Sequence, residues 1–121
     1  MNDRRILIVE DDADIRDALA DAMADAGAEV VVAEDGIDAL ERLRTGPRPA
    51  VILLDLRLPR LGGEDFLRQM RADPRFEHVP VITMTAGTGS AEGSDIVARL
   101  QKPIDLDDLR QIVMSLFDVA A

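Results

Sequence analysis

The chain contains no cysteine, which excludes disulfides, thiolate metal sites and cysteine nucleophiles. Tryptophan and tyrosine are also absent, and phenylalanine occurs only three times. Basic residues are in the minority: 14 Lys and Arg face 24 Asp and Glu, a net charge of −10. That field disfavours nucleic-acid binding, because a basic patch would have to form against it. It favours bound cations or basic partner surfaces. No apolar run reaches membrane-spanning length. Met1 leads into Asn2-Asp3-Arg4-Arg5 and then only a short apolar stretch, which is no signal peptide. No membrane contact is expected, and the cytoplasm is the default location. Histidine occurs once, at His78, where a loop position before Val79-Pro80 reads as solvated surface. Lysine also occurs once, at Lys102, against 13 arginines. A genome that favours Arg codons explains the arginines but not the exception. A compact ammonium can act as a point charge beside a phosphoryl group, a task for which a planar guanidinium is shaped differently.

The chain's 121 residues suffice for one domain with one core, so residues 1–121 are read as a single unit. A hydrophobic content of 47% beside 31% charged residues is globular and argues against disorder. The organising stretch is residues 50–63. There Val51-Ile52-Leu53-Leu54 runs into Asp55 and then Leu56-Arg57-Leu58-Pro59, closing on Gly62-Gly63. An apolar run bounded by turn residues reads as a strand buried on both faces, which belongs in a parallel sheet covered by helices. Asp55 then sits at the carboxyl end of a central strand, the edge where open α/β sheets bind ligands. A charged side chain there is costly unless something pairs with it.

The other elements follow in order. Residues 4–10 form a first strand around Ile6-Leu7-Ile8-Val9, ending on Glu10, Asp11 and Asp12. Ile15, Ala18, Leu19, Ala22, Met23 and Ala26 form a helical stripe that Asp12 or Asp14 can cap and Gly27 stops. Residues 28–33 read as a second strand. Asp35-Gly36 opens a helix through Ile37, Leu40 and Leu43, which Gly46-Pro47 ends. A further helix lies around Phe66, Leu67 and Met70, with Ala72-Asp73-Pro74 closing it. Residues 79–84 and 97–101 are the last two strands, the second more polar, as an edge strand can be. Asp105 caps a final helix bearing Leu106, Leu109, Ile112, Val113, Leu116 and Phe117. Between the last two strands, residues 88–95 hold Gly89 and Gly93 with Ser90, Ser94 and Asp95 and no apolar stripe. Each glycine costs a helix interior roughly 1 kcal/mol, so a loop or a single turn is expected there. Alternating strands and helices place the chain in the α/β class with a parallel sheet.

In such a sheet the strand ends share one edge. Glu10-Asp11, Asp55, Thr85 and Lys102 therefore converge: a carboxylate cluster, a hydroxyl and an ammonium. At about 4 Å and an effective dielectric near 20, each like-charged pair costs roughly 4 kcal/mol before screening. Such a cluster calls for a cation. All-oxygen ligands without His or Cys suit Mg²⁺. Carboxylate, Mg²⁺, hydroxyl and lysine together point to phosphoryl transfer, with the carboxylate as nucleophile.

Ile6-Leu7-Ile8-Val9-Glu10-Asp11-Asp12, Leu54-Asp55-Leu56-Arg57-Leu58-Pro59 with Gly63, Thr85-Ala86 and Lys102-Pro103 resemble the receiver domain of bacterial two-component response regulators, the CheY-like family. The resemblance covers essentially the whole chain. It implies a single-domain (βα)5 flavodoxin-like fold, a five-stranded parallel sheet of order 2-1-3-4-5, here with its fourth helix shortened or absent. It implies that Asp55 accepts the phosphoryl group, that Thr85 is the switch hydroxyl and that Lys102 binds the phosphate. It implies Mg²⁺ held by Asp11 directly, Glu10 through water, Asp55, and the backbone carbonyl of Arg57. It further implies that the chain is no enzyme in the turnover sense. On this resemblance it would be a switch that promotes its own aspartyl phosphorylation and dephosphorylation. The phosphoryl group would come from a histidine kinase, a histidine phosphotransfer protein or a small phosphodonor. The output would reach a downstream protein target of unknown identity, without nucleic acid or membrane. The family usually carries Tyr or Phe three residues before the lysine, where this chain has Arg99. The segment between Thr85 and Lys102 is also short for the family. A rival chemistry is the aspartate-nucleophile phosphatase of the haloacid dehalogenase type. It needs a second Asp two residues after the nucleophile, and Arg57 stands there.

Overall fold

The two most apolar runs of the chain pair side by side at the centre of the sheet. The computed structural model describes residues 4–87 and 95–120. Along the chain these form β1 (Arg5–Val9), α1 (Ala13–Asp25), β2 (Glu29–Ala33), α2 (Gly36–Thr45), β3 (Val51–Asp55), α3 (Gly63–Arg71), β4 (Val81–Thr85), β5 (Ile96–Gln101) and α4 (Leu106–Ala120). All five strands are parallel, in the order β2-β1-β3-β4-β5. The expected strand order is therefore observed. Every residue of β3 and β4 is buried, as covering on both faces requires, whereas β5 alternates half-buried and exposed positions. β4 begins two residues later than its apolar run, because Pro80 has no N–H to give the ladder. Val79 still packs into the core.

Two cores lie on opposite faces. Leu7, Val9, Ile52 and Leu54 pack against α2 and α3 through Leu43, Phe66 and other side chains. Ile6, Ile8, Val51 and Leu53 pack against α1 and α4 through Leu19, Met23, Val113 and Phe117. This is the period-two alternation of a strand expressed twice. At about 25 cal/mol per Å² of buried apolar surface, these two layers are the main stabilising contribution to the fold.

Helix starts are set by aspartates. Asp12 Oδ1 accepts from the Asp14 and Ile15 N–H groups (2.9 and 3.1 Å), and Asp105 Oδ1 from those of Asp107 and Asp108 (2.9 and 3.2 Å). α1 stops where Gly27 takes φ +92°, a conformation open to glycine at no steric cost. α3 has no side-chain cap. Its first residue, Gly63, lies so close to β3 that a Cβ there would fall 2.8 Å from the Asp55 carbonyl oxygen and 2.7 Å from Leu56 Cα. Glycine thus lets α3 begin directly against the strand that carries Asp55.

Four helices are present among the described residues. The shortened or absent fourth helix expected after β4 falls on residues 88–94, which lie outside the described residues, as does the expected loop or single turn. No described helix is long and apolar enough to cross a membrane.

Candidate functional site at the carboxyl edge of the sheet

Lys102 follows β5 and is tied to the end of β4 by its backbone N–H, which donates to the Thr85 carbonyl (2.8 Å). Its side chain reaches across the sheet edge. Nζ donates to Glu10 Oε1 (2.6 Å) and to Asp55 Oδ2 (2.9 Å). Glu10 is fully buried and Asp55 is 3% exposed. The Glu10 N–H donates to the Ala33 carbonyl, its own carbonyl accepts from Arg16, and its Oε2 accepts from the Asp12 N–H. Asp55 Oδ1 accepts from the Arg57 N–H at 2.9 Å, a local turn that fixes both the carboxylate and the start of the following loop. Thr85 is buried, and its hydroxyl oxygen accepts from the Gly87 N–H (3.3 Å).

Asp11 lies at the exposed mouth of this site. One carboxylate oxygen from each of Glu10, Asp11 and Asp55 lies within 4.8 Å of the others. The donor set is all oxygen and anionic, as hard divalent cations require. It therefore fits Mg²⁺. The electrostatics agree. Burial pushes the Glu10 carboxyl up to about 7. The hydrogen bond from Lys102 opposes the shift, the neighbouring Asp55 carboxylate adds to it, and the Asp12 N–H lowers it slightly. Burial alone would lower Lys102, but its hydrogen bonds to Glu10 and Asp55 outweigh that and hold it above its ordinary value. One ammonium between two buried carboxylates leaves an excess of negative charge. The repulsion inferred from sequence is thus partly relieved by Lys102 itself and not left entirely to a cation.

Glu10, Asp11, Asp55 and Lys102 are brought together as their strand-end positions require. Thr85 sits at the same edge, joined to Lys102 through the backbone. Arg57 follows Asp55 on the loop, and its guanidinium lies beside Gly87, where a Cβ would stand 2.7 Å from Nη2. Arg99 is exposed on β5, opposite Thr83. Sequence reasoning missed one feature. Asp35, read only as the opening of a helix, is a buried carboxylate that binds Arg60 on the loop after β3 (2.8 Å from Nε, 2.6 Å from Nη2). The Asp-Gly pair signalled the cap, but nothing local signalled a partner in the distant loop.

The family model of the response regulator receiver domain matches residues 6–114. The chain belongs to the response regulator receiver domain family. It is a module of two-component signalling, whose role is that of a phosphoryl-accepting switch. Chemotaxis protein CheY1 of Helicobacter pylori (strain J99) is 33% identical over 89 residues, covering 73% of this chain and 72% of that protein. Response regulator MprA of Mycobacterium ulcerans is 36% identical over 110 residues, covering 87% of this chain but 46% of that protein. The receiver domain thus spans about half the length of the MprA relatives it matches. Among solved structures, the receiver domain of sensor histidine kinase PA1611 from Pseudomonas aeruginosa PAO1 superposes with a TM-score of 0.83 at 28% identity. The match covers 95% of this chain and 98% of that one, and that structure is described with a magnesium ion coordinated in its active site cleft.

Proposed function

We propose that residues 1–121 act as one receiver domain that accepts a phosphoryl group on Asp55. The observation that carries this reading is the Asp55 carboxylate itself. It is buried at the end of the central strand, 2.9 Å from the Lys102 ammonium and inside a three-carboxylate cluster. Glu10, Asp11, Asp55 and the backbone carbonyl of Arg57 would hold Mg²⁺. When bound, the ion supplies positive charge to the phosphoryl oxygens.

An Asp55 carboxylate oxygen forms the new P–O bond while the bond from phosphorus to the donor breaks. The donor, a phosphorylated histidine or a small acyl phosphate, leaves with the bonding electron pair. Lys102 is positioned to neutralise a phosphoryl oxygen, and the Thr85 hydroxyl to donate a hydrogen bond to another. Lys102 already borders Asp55, 2.9 Å from its Oδ2. The donor partner is a histidine kinase or a histidine phosphotransfer protein. A kinase's phosphoryl donor derives from ATP, which places the exchange in the cytoplasm. A downstream protein reads the phosphorylated state.

The domain promotes its own phosphorylation and the later hydrolysis, and is no turnover enzyme toward outside substrates. The test is to supply acetyl phosphate and a chromogenic phosphomonoester separately, with Mg²⁺. One label per chain from the first and no sustained turnover of the second are expected. Catalytic turnover of the phosphomonoester would assign the site to a phosphatase instead.

A further inference from the structure

The loop between β3 and α3 carries Arg57 and is clamped from a part of the fold that contributes no other group to the site. Asp35, the N-cap of α2, is 4% exposed. Its Oδ1 accepts from the Asp38 N–H (2.8 Å), and its Oδ2 takes both Nε and Nη2 of Arg60 (2.8 and 2.6 Å). This two-pronged geometry fixes direction as well as distance. Arg60 takes φ +62°, a left-handed conformation that a non-glycine residue adopts only where its surroundings impose it. Next to it, the Leu61 carbonyl oxygen presses on Gly36, where a Cβ would stand 2.5 Å away. The backbone of the loop therefore rests directly on the first turn of α2. At its other end the loop is closed by the Gly63 N–H to the Leu56 carbonyl and by the Arg57 N–H to Asp55 Oδ1. Leu56, Leu58 and Leu61 anchor it to the core from below.

We infer that Asp35 and Arg60 are positioning residues for cation binding: their ion pair, with Gly36 beneath Leu61, orients the loop so that the Arg57 carbonyl faces the acidic cluster. The inference rests on the proposed role of that carbonyl as a metal ligand. It links the end of β2, which lacks any ligand of its own, to the affinity of the site.

The test uses the full chain and Mg²⁺ alone. Arg60→Asn removes the guanidinium with a residue that tolerates the left-handed conformation, and Asp35→Asn keeps the cap while removing the charge. Calorimetric titration well below each variant's melting temperature reads the Mg²⁺ Kd of folded protein, which a merely structural role would not move. Amide NMR of Leu56 and Arg57 reads the loop. Arg60→Asn should weaken Mg²⁺ binding about tenfold, the low end of what groups holding metal ligands contribute. Asp35→Asn should lie between it and the parent, and the double variant should be no worse than Arg60→Asn. An unchanged Kd in both folded variants, with the parent binding normally, overturns the inference and leaves the proposed function standing. A parent that binds no Mg²⁺ overturns both.

Discussion

Replacing Lys102 by methionine keeps the volume of the side chain and removes its charge from between two buried carboxylates. Removing one partner of a buried ion pair costs about 3–5 kcal/mol, because the other partner is left charged and desolvated. Here two partners are left, but one can escape by taking up a proton. Glu10 has a carboxyl raised from 4.5 to about 7, with burial as the main cause. Between those two values the native state binds a proton that the unfolded state does not, so stability falls as pH rises through that window. Without the Lys102 hydrogen bond, which lowers Glu10, the window extends above 7. There the parent's Glu10 is ionised and the variant's is still protonated, and each further pH unit widens the difference by about 1.4 kcal/mol. The variant should therefore lose about 3–5 kcal/mol at pH 8 in chelator, and roughly 1 kcal/mol less at pH 6. Urea unfolding followed by far-UV circular dichroism measures this, since the chain has no tryptophan or tyrosine to report by fluorescence. Millimolar Mg²⁺ should narrow the gap. A loss below about 1 kcal/mol at pH 8, the size of an exposed surface pair, would refute the reasoning. So would an equal loss at both pH values.

Two further outcomes are expected. Mg²⁺ binding to the parent should release a proton from Glu10 and weaken as pH falls below about 7, which calorimetry in buffers of different ionisation enthalpy will show; a pH-independent affinity between 6 and 8 would contradict the burial of that carboxyl. Gly63→Ala should cost about 1–3 kcal/mol through its collision with the Asp55 carbonyl and Leu56, read by urea unfolding, and should slow labelling of Asp55 from acetyl phosphate; a neutral substitution would show that α3 can move away freely.

The central strands were legible because their signal is local. Ile6-Leu7-Ile8-Val9 and Val51-Ile52-Leu53-Leu54 cannot be solvated, and apolar runs this short fit only strands covered on both faces. Asp55 and Lys102 stood out for the same kind of reason. One is a charge at the end of an apolar run, and the other is the sole ammonium in an arginine-rich chain. What sequence could not show depends on distance in three dimensions. That Lys102 bridges Glu10 and Asp55 requires the span of one side chain across three strand ends. The Asp35–Arg60 pair joins residues 25 positions apart through a left-handed turn that no local propensity encodes. Nor does composition reveal that Gly36 and Gly63 are there to admit neighbouring backbone and not to form turns.

Asp55 is the proposed phosphoryl acceptor, and one measurement tests that role directly. The parent and Asp55→Asn are incubated with acetyl phosphate in Mg²⁺ or in chelator, and intact mass is followed by reductive trapping and peptide mapping of the acyl phosphate. A single phosphoryl adduct on the peptide containing Asp55, seen only with Mg²⁺ and lost in Asp55→Asn, is the predicted result. Undiminished labelling of Asp55→Asn, or labelling that persists without divalent cation, would contradict it.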